Sequence, residues 1–91
     1  MRPLTDQQIG MLRALDELGA HDLASAVSAA LVAETIASWC GEPVEPSSVT
    51  AARTRLDAVR TYGLAEASLL RAGVTYWLTD AGRAAAEEAD R

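Results

Sequence analysis

Apolar residues first recur at helical spacing as Ile9, Leu12, Leu15 and Leu18, with Met11 on the flank. That period puts one apolar stripe on a helix over about residues 6–18. Thr5 stands at its N-cap, where the hydroxyl can accept from the N–H of Gln7 or Gln8, and Gln8 occupies the capping-box position. Gly19 suits the C′ position that ends a helix. Residues 20–40 admit two readings. Leu23, Val27, Ala30, Leu31 and Glu34 fit one long helix from Asp22, which the Ala-rich composition favours. Alternatively, Ala24–Val27 is a short extended piece and Ser28 caps a helix running from Ala29 to Trp39. Both readings contain helix over about residues 29–40, with Ile36, Ala37 and Trp39 on its inner face.

The segment Cys40-Gly41-Glu42-Pro43-Val44-Glu45-Pro46 breaks the pattern, because two prolines fix a turn there. Ser47 or Ser48 then caps a third helix over about residues 48–62. Its inner face is Ala52, Leu56 and Val59, and Gly63 follows Tyr62 as a stop. The opposite face carries Thr50, Ala51, Thr54, Ala58 and Thr61, flanked by Arg53 and Arg55. Residues 64–70 and 74–78 read as two strands joined tightly through Arg71-Ala72-Gly73, with Gly supplying a positive φ. Val74, Tyr76 and Leu78 share one face of the second strand, and Thr75 and Trp77 share the other. Thr79 caps a last helix over 80–89, whose tail Glu87-Glu88-Ala89-Asp90-Arg91 is expected to fray. The predicted class is mainly α with a small β-hairpin (α+β), in one domain.

Composition narrows this picture. Ninety-one residues make a single domain with a small core. Phe is absent, so the core rests on Leu, Val, Ile, abundant Ala and four aromatics. No run approaches the ~18 apolar residues of a membrane span, and the N-terminal residues lack the pattern of a signal peptide. A cytoplasmic protein with no membrane partner is expected. Cys40 is the only cysteine, so an internal disulfide and a Cys-based metal cluster are excluded. It reads as a small buried hydrophobe. His21 reads as a solvated turn residue, and Trp39 as core. Trp77 either covers helix one or stands out as an interface anchor. One His, one Cys and no dense carboxylate cluster supply neither an acid–base pair nor an activated nucleophile. No phosphate-binding Gly-rich loop and no metal-ligand spacing occur. An enzyme, a cofactor and a metal are therefore not expected.

Charge is unevenly placed. The net charge is −5, and all eight cations are Arg. The absence of Lys suits a GC-rich bacterial or phage genome. Residues 1–45 carry Arg2 and Arg13 against seven carboxylates, for a net of −5. Residues 47–76 carry Arg53, Arg55, Arg60 and Arg71 against Asp57 and Glu66, for a net of +2. Arg60 can pair with Asp57 or lie along the hairpin. Arg matches guanine and phosphate by bidentate contact better than Lys does.

Two segments carry a resemblance: Leu56-Asp57-Ala58-Val59-Arg60-Thr61-Tyr62-Gly63-Leu64, and Tyr76-Trp77-Leu78-Thr79-Asp80-Ala81-Gly82-Arg83. With the order helix, helix, turn, helix, two-stranded wing, helix, the chain resembles the winged helix-turn-helix superfamily, in particular small bacterial regulators of the MarR, ArsR and PadR types. The second segment matches every fixed position of the pattern Y-x-L-T-x-x-G-R. The resemblance implies a three-helix core with a wing over 64–78 and a C-terminal helix. It implies a transcriptional regulator that reads the major groove of double-stranded DNA with helix 48–62. The DNA-binding residues so implied are Ser47, Ser48, Thr50, Arg53, Thr54, Arg55 and, at the wing tip, Arg71. The small size of the module implies a homodimer through helix one or helix four, or a partner protein.

The acidity and the poorly basic wing motivate a rival expectation: a winged helix that binds protein, or an acidic mimic of DNA. Placement of the arginines separates the two. An open positive surface over Arg53, Arg55 and Arg71 favours DNA. Burial of those residues against Asp57 or Glu66 favours protein contact.

Overall fold

The computed structural model describes residues 4–71 and 73–89. The described chain is α+β, with four helices and one three-stranded antiparallel sheet. The order is α1 (Asp6–Glu17), β1 (Val27–Ser28), α2 (Ala29–Cys40), α3 (Pro46–Thr61), β2 (Ala65–Leu70), β3 (Gly73–Leu78) and α4 (Asp80–Ala89). None of these helices is long and apolar enough to cross a membrane. Asp90 and Arg91, the end of the expected frayed tail, lie outside the described residues, as does Ala72 in the hairpin turn.

Local chemistry sets most boundaries. The capping box of α1 is formed: the Gln8 N–H donates to Thr5 Oγ1 and the Thr5 N–H to Gln8 Oε1, both at 3.1 Å. Leu18 is the C-cap, and Gly19 follows it at a φ of 71°. Ser28 caps α2 by accepting from the Leu31 N–H, which settles the two readings of residues 20–40 in favour of an extended piece before the helix. That piece is only Val27–Ser28, because Asp22–Ser25 folds on itself: Asp22 Oδ1 accepts from both the N–H and the hydroxyl of Ser25. These donors, the hydroxyl foremost, hold the Asp22 carboxyl below its ordinary pKa.

The third helix begins earlier than the serines suggest. Glu45 is the N-cap and Pro46 the first helical residue, a position where a missing N–H costs nothing. Ser48 lies inside the first turn, its hydroxyl accepting from the Glu45 N–H at 3.4 Å. The sheet likewise has one strand more than a hairpin alone. β3 is central, pairing with β2 from Ala65↔Leu78 to Leu70↔Gly73 and with β1 through Val27↔Tyr76 and Ser28↔Thr75. A two-residue strand has no sequence period of its own and exists only through that pairing.

The core joins both layers. Leu12, Leu15, Val32, Leu56, Val59, Tyr76 and Leu78 are fully buried. Ala14, Ala20, Ala29, Ala33, Ala52, Ala65 and Ala86 fill the spaces between them, so backbones approach closely without any Phe. The expected inner face of α3, Ala52, Leu56 and Val59, is buried as a unit. Trp77 is half-buried and packs on the core. Trp39 and Cys40 depart from expectation, since both are exposed. The buried positions of α2 are Ala29, Val32 and Ala33 in its first half. At its end the Trp39 indole N–H donates to Glu17 Oε2 at 3.0 Å, with the Arg13 guanidinium over the ring. His21 is half-buried, its Nε2 lying 2.9 Å from Asp16 Oδ1.

Among the described residues, one buried side-chain polar atom is left without a partner, Thr75 Oγ1 on β3. Thr75→Val removes that hydroxyl while keeping β-branched shape. It is expected to raise stability by roughly 1 kcal/mol, read as a higher urea midpoint at unchanged m-value.

Candidate nucleic-acid interface

Helix α3 displays three distinct surfaces outside its buried stripe. Ser48, Ala51 and Arg55 line a groove between α3 and α2, with Met11, Ile36 and Cys40 on the facing side. Thr50, Thr54 and Thr61 are exposed on the outer surface. Their hydroxyls donate to the carbonyls of Pro46, Thr50 and Asp57, four residues back. These short polar side chains therefore lie close to the helix and leave its outer face low. Arg53, Asp57 and Arg60 recur at i, i+4 and i+7 as a third stripe. This stripe is turned toward the sheet, for the hydroxyl of Tyr76 on β3 donates to Asp57 Oδ1 at 3.2 Å.

The residues singled out from sequence are thus divided. Ser47, Thr50 and Thr54 occupy the first two and a half turns, with Thr54 on the outer surface, and Ser48 is half-buried and already engaged with Glu45. Arg53 and Arg55 do flank the outer face, Arg53 toward the sheet and Arg55 beside the groove. Arg53 is exposed and Arg55 half-buried. Arg71 is exposed in the turn joining β2 and β3, beyond the closing pair Leu70↔Gly73. Among the described residues, the ion pairs of the basic segment come to one: Arg60 Nε lies 3.9 Å from Asp57 Oδ1, with both side chains about half exposed. Arg53, Arg55 and Arg71 have no described carboxylate at ion-pair distance. No group of three or more His, Cys, Asp and Glu among the described residues is placed to hold a metal.

No family model, curated protein or solved structure matches the chain.

Tyr76 is the largest fully buried residue, and its hydroxyl reaches the carboxylate of Asp57. Burial, and after it the Asp57 charge and hydrogen bond, push its phenol above the ordinary tyrosine pKa, while Arg53 and Arg60 act the other way. The spacing of Arg53, Asp57 and Arg60 is visible in the sequence; the tyrosine that pins the central carboxylate, 19 residues on, is not.

Large exposed apolar side chains among the described residues include Leu23, Leu69 and Leu70. Helices α1 and α4, the anticipated dimer surfaces, carry no large exposed hydrophobic residue among those described. Leu69 and Leu70 do, at 81% and 52% exposure. They sit at the hairpin end of β2, the open edge of the sheet.

Proposed function

We propose that this chain is a winged helix-turn-helix domain that binds double-stranded DNA in a sequence-specific manner, as a small transcriptional regulator. In this reading α3 enters the major groove, and the β2–β3 hairpin serves as the wing on the flanking backbone. The order of elements supports it, with β1 completing a sheet whose hairpin stands beside α3. The observation that carries it is the state of the arginines. In a chain of net charge −5, Arg53 and Arg71 are exposed and Arg55 is half-buried beside the groove, with no described carboxylate paired to any of the three. The low threonine and alanine surface between Arg53 and Arg55 lets the helix backbone approach base edges closely. Arg53 and Arg55 are then the readers of guanine or phosphate. Ser47 stands at a helix start, where backbone N–H groups favour a phosphate. Arg71 is the wing contact.

A second reading has one observation in its favour. Leu69 and Leu70 put apolar surface beside Arg71 at the wing's end, and such a wing suits protein contact.

Binding of the purified protein to random and genomic duplexes at two salt concentrations separates the two. Selective binding that weakens steeply with salt is expected. Arg53→Ala and Arg55→Ala are each expected to cost about 1–3 kcal/mol of affinity for the selected site. Absence of binding at low salt would favour the protein partner, and losses well under that range for both variants would count against this docking of α3.

A further inference from the structure

Asp57 is an anomaly on a surface meant for a polyanion. It lies between Arg53 and Arg60 on the stripe of α3 that faces the sheet, so the stripe carries a net charge of +1. Its carboxylate has a partner in the sheet. Oδ1 accepts from Tyr76, itself buried at 1% exposure and fixed in the central strand. Arg60 approaches the same oxygen only to 3.9 Å, with both groups half in solvent, a geometry that leaves little pair stability. Asp57 is therefore not explained as a partner for Arg60. In the proposed docking, with α3 in the major groove and the hairpin on its flank, the exposed half of the Asp57 side chain stands beside the DNA backbone. A carboxylate only accepts hydrogen bonds, as a phosphate does, so the two repel without any compensating bond.

We propose that Asp57, positioned by Tyr76, is an affinity-limiting residue that holds the DNA backbone off α3 and keeps the protein from settling on bulk duplex. The inference rests on the DNA-binding reading. Its mark is uniformity. Deleting a side chain that reads a base weakens binding to one sequence, whereas deleting a charge that repels phosphate strengthens binding to all of them. Asp57→Asn keeps the shape and an acceptor oxygen for Tyr76 while removing the charge.

The test is titration of the whole protein, Asp57→Asn and Glu87→Gln against one random-sequence duplex and one selected duplex, at several salt concentrations. Glu87→Gln removes one negative charge from the exposed side of α4, so it reports the effect of net charge alone. Asp57→Asn is expected to bind both duplexes about fivefold more tightly at low salt, as removal of one close like-charge interaction in water implies. Its salt slope is expected to steepen by about one, with Glu87→Gln unchanged. Binding by the unaltered protein together with equal or weaker binding by Asp57→Asn overturns the assignment and leaves the DNA reading in place. An equal gain from Glu87→Gln also overturns it. No binding by any of the three proteins overturns both.

Discussion

Gly82→Ala is expected to lower the unfolding free energy by about 3 kcal/mol or more, at the upper end of overpacking effects. Gly82 lies in the first turn of α4 and is buried against the link from α3 to β2. A methyl group there would be driven into the carbonyl of Leu64, with the Leu78 side chain also in contact. The carbonyl cannot withdraw freely. Leu64 O accepts from the Thr79 N–H at 3.2 Å, and the Leu64 N–H donates to Val59 O at 3.0 Å. Thr79 Oγ1 in turn donates to Gly63 O at 2.7 Å and accepts from the Gly82 N–H at 3.1 Å. Relief of the clash would therefore break bonds that tie the end of α3 to the start of α4, each contributing roughly 0.5–1.5 kcal/mol. The better helix propensity of Ala offsets about 1 kcal/mol of this at most.

Gly10→Ala is the internal control. Gly10 is also helical, and a Cβ there meets nothing within 4 Å. The same substitution is expected to stabilise α1 by about 1 kcal/mol. For a domain of this size the pair translates into a Tm roughly 12–24 °C lower for Gly82→Ala and about 4–8 °C higher for Gly10→Ala. Thermal unfolding followed by circular dichroism reads both. Equal and small shifts for the two variants would mean that α4 does not sit on Leu64 as described.

That pair of glycines also shows what the sequence can disclose. The segment Leu78-Thr79-Asp80-Ala81-Gly82 is legible as a strand end, a cap and a helix start, because capping is decided within four residues. The reason for Gly82 is not legible, because it lies against Leu64, 18 positions away. The limits of α1 and α4 and the buried face of α3 are readable for the same local reasons. Expectation fails where a distant partner decides the outcome. Apolarity alone assigns Trp39 to the core, yet it lies at the surface with Glu17 and Arg13 of α1. It assigns Cys40 likewise, though α2 is buried only along its first half. In the basic segment, the positions of Arg53, Arg55 and Arg71 follow from helix and hairpin geometry. The Asp57–Tyr76 bond, which gives the stripe of Arg53 and Arg60 its negative centre, depends on the placement of β3 against α3.

Tyr76 provides the other large effect. Tyr76→Ala is expected to cost about 3–5 kcal/mol, because the ring is the largest fully buried side chain and stands where β1, β2 and α3 meet. Tyr76→Phe keeps the ring and removes only the hydroxyl. Its expected cost is about 1 kcal/mol, since Asp57 is half exposed and regains water in place of the missing donor. The two variants also differ from the unaltered protein in their response to alkali. Burial and the Asp57 carboxylate raise the phenol above its ordinary value of 10.0 in the folded state. A raised folded pKa means that the unfolded chain releases this proton first. The corresponding stability is fully present below about pH 10 and is lost as pH rises from there through the folded pKa. Unfolding free energy measured by urea titration from neutral pH upward should therefore fall above about pH 10 in the unaltered protein, and fall less in Tyr76→Phe. Parallel alkaline slopes for the two proteins would show that the phenol is not held against Asp57, and the fixed carboxylate on α3 would lose its anchor.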